Sequence, residues 1–380
     1  MSEVLIVGGG IMGLWAALTA VRAGMSVCLV EERQIGAGAS GGILGALMPH
    51  MPDKWNAKKQ FQFDALVSLE SEVLALEAET GLSAGYRRNG RIMPLAKPHL
   101  REIALRHEQD ALQNWRAGDR QFFWHVQDAV PSGSLGAEAA AHGLVLDTLG
   151  GRLAPRQMLT VLRAALAHAP NARIVEGAGV RAIHTGRGRA ELTDGAEIAF
   201  GHCVLAAGVG SFPLIDALCG PLREPSGTGV KGQAALLLAD VDPQLPVIFT
   251  DGVYIVAHDD GHVAVGSTSE NRYANPLSTD ELLTELLGRA EVLVPALRGA
   301  EVVERWAGIR PKSAGREPMV GRHPDHANLS ILTGGFKVSF GIAHRLSRFV
   351  IDEIAGRPTI DMPDSFLCRN HIAALREKHL

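Results

Sequence analysis

Cysteine is scarce in this chain of 380 residues, which has four, and tyrosine is scarcer still, with three. Cys28, Cys203, Cys219 and Cys368 lie far apart and form no C-x-x-C, and two of them fall inside apolar, strand-like runs. That argues against a disulfide framework and reads as core thiols in a reducing compartment. Metal-ligand spacing is missing too: the fifteen histidines show no H-E-x-x-H and no paired spacing with acids, so no metal is expected. No uninterrupted apolar stretch reaches the roughly 18 residues needed to span a bilayer. A formal net charge of −4 gives no overall attraction to nucleic acid or to an anionic membrane. Low-complexity linkers and fixed-period repeats are lacking. No signal peptide is read ahead of the first apolar run, so the expected location is cytoplasmic.

The composition itself is 46% hydrophobic and 21% charged, enough to bury a large core in one large or two interleaved domains. The chain opens "MSEVLIVGGGIMGLW". Val4 to Val7 form a short strand-type run, Gly8, Gly10 and Gly13 fit G-x-G-x-x-G, and Ile11 to Ala23 read as a helix ended by Gly24. In such a unit the glycines permit a tight turn, close approach to a pyrophosphate and close helix–strand packing, with the helix N-terminus facing the phosphates. The next strand, "SVCLVEE", places Glu31 eighteen residues after Gly13, where a carboxylate accepts from ribose hydroxyls and disfavours a 2′-phosphate; Glu32 is the alternative. These residues predict a bound dinucleotide.

Beyond this unit, "QIGAGASGGILGALMPH" is too rich in glycine for a packed helix and too apolar for a solvent loop, and is expected to lie against a ligand. Phe63, Leu66, Val67, Val73, Leu74 and Leu76 follow helical spacing up to Gly81, a second helix is expected from about His99 to Trp115, and "GRIMPL" between them reads as a strand. A helix starts near Pro155. Short strands with a turn at Asp194-Gly195 lead into "CVLAAG", and from Gln233 to about Ser267 the pattern is antiparallel, with a hairpin turn at Asp260-Gly261. A helix near Thr279 to Leu293, the strand-like "VVERWAGIRP" and a strand, glycine turn and terminal helix complete the chain. The G-x-S-x-G from Gly38 to Gly42 has no strand running into it, so Ser40 reads as a phosphate contact and not a hydrolase nucleophile.

Taken in order, "VLIVGGGIMG", "GASGGILGAL", "HCVLAAGVGS", "VYIVAHDDGHVAVGST", "RWAGIRPKSAGREPMVG" and "ILTGGFKVSFGIAH" resemble the motifs of the D-amino-acid oxidase family of FAD-dependent oxidoreductases, with the glycine oxidase-like branch nearest. The resemblance spans nearly the whole chain. It implies an α/β fold in which an FAD-binding Rossmann-type, glutathione-reductase-like domain (1–50, about 145–215 and 305–360) is interleaved with an antiparallel or mixed-sheet substrate domain (about 51–144 and 216–304). It implies that Gly8, Gly10, Ile11, Met12 and Gly13 wrap the pyrophosphate, that Glu31 holds the ribose, and that Ala39, Ser40 and Gly41 touch phosphate and ribitol. Leu44, Gly45 and Leu47 would line the flavin ring, Val180 the adenine, and Ala207 and Gly208 the returning cofactor strand. Gly335, Lys337, Gly341 and Ile342 would close over the pyrimidine edge, where a helix starting near Gly341 presents its positive end. Tyr254 and Arg310 match substrate-carboxylate positions, and a guanidinium is suited to grip a carboxylate through two parallel hydrogen bonds. "GASGGILGAL" contains no histidine and "GIRPKSAG" no cysteine to bond the flavin, so the FAD is expected to be noncovalent. His50, just beyond the first of these, reads as a packed or solvated histidine.

The leading expectation is oxidation of the C–N bond of a small, carboxylate-bearing amino acid or secondary amine by hydride transfer to flavin N5, with oxygen or an electron carrier as acceptor. The alternatives are an FAD-dependent 2-hydroxy-acid dehydrogenase, a tRNA-modification oxidoreductase, which the acidic balance disfavours, and a flavin-binding protein without turnover. No nucleic-acid or membrane partner is expected. The oligomeric state, homo-oligomers included, stays open.

Overall fold

The apolar run at the N-terminus becomes the strand Ser2–Val7, at the centre of the first of two large sheets. In the computed structural model, which describes residues 2–128, 135–136 and 138–376, this strand has parallel partners on both sides. Val27–Glu31 and then Ala172–Glu176 lie to one side, Glu197–Leu205 and then His326–Thr333 to the other. Parallel strands covered on both faces require unbroken apolar sequence, and Val4, Leu5, Ile6 and Val7 are all buried. Glu197–Leu205 changes partner part-way along. Its first residues pair antiparallel with Arg189–Leu192, which continues a meander from Val180–His184, and its later residues pair parallel with Ser2–Val7.

Helix Ile11–Arg22 packs on one face of this sheet together with Ser339–Ile354 and Pro155–Ala167. Helix Ala57–Thr80 adds to the same core and stops where Gly81 turns left-handed and donates its N–H to Glu77. Of the positions read as its apolar stripe, Phe63, Leu66, Val73 and Leu76 are buried, whereas Leu74 is 55% exposed. Leu74 lies a single residue, about 100°, around the helix from Val73, which turns it to solvent.

The second sheet has eight strands in the order Glu301–Ser313, Gly227–Leu238, His262–Gly266, Val253–Ala257, Val247–Thr250, Arg91–Pro94, Leu144–Asp147 and Trp124–Gln127. It is mixed: every neighbouring pair is antiparallel except Val247–Thr250 with Arg91–Pro94. Helix Glu281–Leu293, capped by the Asp280 side chain, covers the face carrying Ala235, Ile255 and Val265. The opposite face looks toward the first sheet. Ser339–Ile354 is not the last helix, because Cys368–Arg376 follows and seats His371, Ile372 and Leu375 in the core. Nine residues hold too few turns for a clear periodic signal in sequence.

The core also holds histidines that the fold keeps neutral. His344 is buried with its Nε2 2.9 Å from the Ser68 hydroxyl, and burial, reinforced by Arg345, pushes its pKa down to about 3. An unfolded chain protonates this ring below about pH 6.5 and the folded one does not, so stability is full above 6.5 and falls as pH drops toward 3. By pH 4.5 the loss from this residue is about 3 kcal/mol. Thermal melts from pH 7 to 4.5 are expected to show a falling Tm, with a shallower fall for His344→Gln; an equal slope in both proteins would remove His344 as a cause.

Candidate active site

The first four N–H groups of a helix lack intrahelical partners, and the N-terminus of Ile11–Arg22, at Gly10, Ile11 and Met12, lines a cavity of about 710 Å³ between the two sheets. Gly8, at φ +110, joins strand to helix in a conformation that suits glycine, and a Cβ there would lie 2.5 Å from the Ala206 carbonyl oxygen. The Ile11 N–H donates to the Ser40 hydroxyl at 3.0 Å, which leaves that hydroxyl's own proton free to donate. The amides of Met12 and Gly13 have no acceptor among the described residues. Unpaired amides at a helix N-terminus suit a phosphate.

At one end of the cavity stand Glu31 and Glu32, with Ala178 and Val180 beside them. The Glu31 carboxylate accepts from the Gly9 N–H at 2.7 Å and the Arg33 N–H at 3.1 Å, so its position is set by backbone. In the middle, the Gly38–Met51 segment forms one wall. It folds as a single 3-10 turn at Ala39–Gly41 and a two-residue strand at Ala46–Leu47, which agrees with the expectation that it is neither helix nor solvent loop.

The far end lies under the second sheet. Tyr254, Gly266, Ala234 and Trp306 pair in a row across four strands, and Tyr254, Ala234 and Trp306 line the cavity. Arg310 lies four residues beyond Trp306 on the same strand face, and its guanidinium donates from Nη1 to the Thr268 carbonyl at 3.1 Å. Burial pushes the Tyr254 phenol upward, against the opposing pull of Arg310 and Arg91, so it stays protonated. Lys337 also lines this end, its pKa lowered by burial and by Arg310. Burial, together with Lys58, Lys59 and Arg91, brings His50 down to about 4, so its ring in the cavity wall is neutral at pH 7.

Most of the residues singled out in the sequence therefore meet in one cavity: Gly8, Gly10, Ile11, Met12, Glu31, Glu32, Ala39, Ser40, Leu44, Gly45, Leu47, Val180, Ala207, Gly208, Tyr254, Arg310, Lys337 and Gly341. Four do not line it. Gly13 and Gly41 pack against the backbone of Gly8 and Gly36, Ile342 is in the core, and Gly335 faces Met12, Ser339 and a smaller neighbouring cavity. The expected helix near Gly341 begins at Ser339. Sequence reasoning missed Trp306, Phe249 and Arg91. Arg91 is 2% exposed, pairs with Asp147 and donates to the Pro49 carbonyl at 3.2 Å. A charged residue within the otherwise apolar "GRIMPL" was its one signal.

Acids at one end, an open helix N-terminus in the middle and an apolar wall leading to cations at the other end suit a nucleotide joined to an aromatic ring system. Glu31 is predicted to matter for this ligand: Glu31→Ala should weaken FAD binding at least about tenfold, since a ribose loses a charged acceptor and the Gly9 turn loses its anchor. Flavin fluorescence titration checks it, and unchanged affinity would pass the role to Glu32.

Comparison with known proteins agrees with this reading. The family model described as FAD dependent oxidoreductase (DAO) matches residues 3–348. A glycine oxidase of Pseudomonas aeruginosa is 31% identical over 374 residues, covering 95% of this chain and 97% of the relative. One from Pseudomonas putida is 28% identical over 373 residues, covering 94% and 96%. The crystal structure of glycine oxidase from Geobacillus kaustophilus superposes with a TM-score of 0.85 at 22% identity, covering 97% of this chain and 99% of that one. With the family model matched over most of the length and a relative 31% identical over 95% of the chain, the chain belongs to the DAO family of FAD-dependent oxidoreductases.

Proposed function

We propose that the protein oxidises the C–N bond of a small amino acid or secondary amine that bears a carboxylate, with noncovalent FAD. The observation that carries this reading is the placement of Arg310 and Tyr254 at the cavity end opposite Glu31. Bound FAD supplies the hydride acceptor. Gly10, Ile11, Met12 and Ser40 would hold its pyrophosphate, Glu31 its ribose, and Leu44, Gly45 and Leu47 its ring. Arg310 binds the substrate carboxylate through a planar pair of N–H donors, Tyr254 donates a further hydrogen bond, and together they fix the α-carbon in one orientation. The neutral state of His50 and the scarcity of acids at this end favour an anionic substrate whose amine enters uncharged.

The relatives named glycine oxidase support a small substrate, and oxygen or a carrier would then take the electrons. The four buried free thiols support a cytoplasmic location. We also draw the cofactor domain as interleaved with the substrate domain, with the later boundary after Ser313, because Glu301–Ser313 pairs along its length with Gly227–Leu238.

Anaerobic mixing with glycine, N-alkylglycines, larger amino acids and 2-hydroxy acids tests the reading. The expected result is bleaching of the flavin by a carboxylate-bearing amine, recovery when air is admitted if oxygen is the acceptor, and complete release of flavin on acid precipitation. Bleaching by hydroxy acids alone would replace the amine reading with the 2-hydroxy-acid one. No bleaching by any of them would reject both.

A further inference from the structure

Arg310 has an uncommon support. Its guanidinium lies flat against the Gly232 backbone, where an added Cβ would sit 2.0 Å from Nη2. The hydrogen bond to the Thr268 carbonyl is what fixes its rotation. That carbonyl is available for a specific reason. Past Gly266 the chain continues beside the Gly227–Leu238 strand: Thr268 donates its N–H to the Gln233 carbonyl at 3.2 Å, and Glu270 and Lys231 exchange backbone bonds at 2.9 and 3.0 Å. In an unbroken antiparallel ladder the Gln233 N–H would go back to the Thr268 carbonyl. Here it goes to the Thr268 hydroxyl at 2.9 Å.

We infer that Thr268 is a positioning residue for substrate binding: its hydroxyl takes the ladder bond that its carbonyl would otherwise accept, and the released carbonyl holds Arg310. The hydroxyl is itself fixed by donating to Glu270. Gln233, fully buried, donates from its amide to Glu270 at 2.9 Å and to Asp280 at 2.7 Å. Lys231, 2% exposed, donates to Asp280 at 2.7 Å. This hydrogen-bonded cluster, on the sheet face turned away from the cavity, fixes where the threonine oxygen stands. Thr268 does not line the cavity, so it reaches the substrate only through Arg310.

The inference rests on the proposal that Arg310 anchors the substrate carboxylate, and the test separates the two. Thr268→Val keeps shape but removes the hydroxyl, so the Gln233 N–H draws the carbonyl into the ladder direction and turns it away from the guanidinium, which loses its holder. In the FAD-loaded protein, acetate binding measured by calorimetry is expected to weaken about tenfold in Thr268→Val. Half-saturation for the best carboxylate substrate should rise by a similar factor, with the saturating rate of flavin reduction within about twofold and flavin content unchanged. Thr268→Ser, which keeps the hydroxyl, should restore both. If Thr268→Val does not retain flavin, Thr268→Cys, whose sulfur is a weak acceptor, takes its place in the comparison with serine. Acetate affinity in Thr268→Val (or Thr268→Cys) equal to wild type, or a serine variant as weak as the valine or cysteine one, overturns the inference while a weakened Arg310→Ala control leaves the anchor standing. An Arg310→Ala control that binds acetate as wild type overturns the anchor and this inference together.

Discussion

Arg310→Ala is expected to lower flavin reduction by a carboxylate-bearing amine at least about 30-fold per unit of substrate, with FAD content unchanged. Arg310 is half-buried at the second-sheet end of the cavity, held on one side by the Thr268 carbonyl, and its other guanidinium nitrogens make no hydrogen bond among the described residues. Removing it deprives a carboxylate of a charge-assisted bidentate partner, a loss of about 2 to 5 kcal/mol. Tyr254 and Lys337 line the same end of the cavity, so the expected loss is partial. Arg310→Lys should recover only part of the loss, since a point charge cannot reproduce the fork and no longer spans to Thr268. Stopped-flow reduction of wild type and both variants, beside a carboxylate-free amine, reads the effect. A wild-type rate in Arg310→Ala with the carboxylate substrate, or loss of FAD in place of activity, would contradict the assignment.

The second large effect is structural and concerns Gly13→Ala. A Cβ at Gly13 would stand 1.9 Å from the carbonyl oxygen of Gly8, a backbone atom at the end of the central strand. No rotamer change relieves such a contact, so the helix must move away by more than an ångström, at a cost of about 3 kcal/mol or more. The shift carries the N–H groups of Met12 and Gly13 with it and should weaken FAD binding by roughly 100-fold or produce apoprotein. Gly10→Ala is the informative contrast. Its Cβ would meet only the Ser40 hydroxyl, at 3.1 Å, and a side chain can turn aside. Both variants are expected to lose flavin, Gly10→Ala because its methyl intrudes on the pyrophosphate, but the melting temperature of the apoprotein should stay near wild type for Gly10→Ala and fall for Gly13→Ala; an unlowered Tm in the Gly13 variant would show that the close packing is dispensable.

The glycine unit was readable from sequence because its requirements are local: a turn, a helix start and an acid at a set distance all lie within the first 31 residues. The second sheet was only partly readable. Its central strands alternate or run apolar, but its order joins residues as distant as Arg91 and Val247, a pairing that no local pattern encodes. Arg91 illustrates the limit: a lone arginine in a short strand looks like an edge residue until Asp147 and Pro49 are brought beside it. Thr268 is hidden for the same reason, since its part depends on a hydroxyl and a carbonyl facing different strands. Tyr254 and Arg310 were reached through resemblance to a family, and the fold brings both to one cavity.

The interleaving of the two sheets has a consequence for biosynthesis. The strand Ser2–Val7 leaves the ribosome ahead of the other strands described, yet its sheet waits for Glu197–Leu205 to pair beside it and for His326–Thr333 to complete the parallel set. Three strands of the second sheet are made before Glu197–Leu205, and the other five, from Gly227–Leu238 to Glu301–Ser313, between it and His326–Thr333. The cavity wall contributed by Phe336, Lys337 and Ser339 arrives later still. Nearly nine-tenths of the chain must be translated before the cofactor's enclosure can close, so the nascent protein carries unpaired, apolar strand edges for most of its synthesis. Cofactor capture is thus a late event of synthesis, and a message cut short between Glu32 and the final strand yields a polypeptide with its dinucleotide fingerprint intact and its enclosure incomplete.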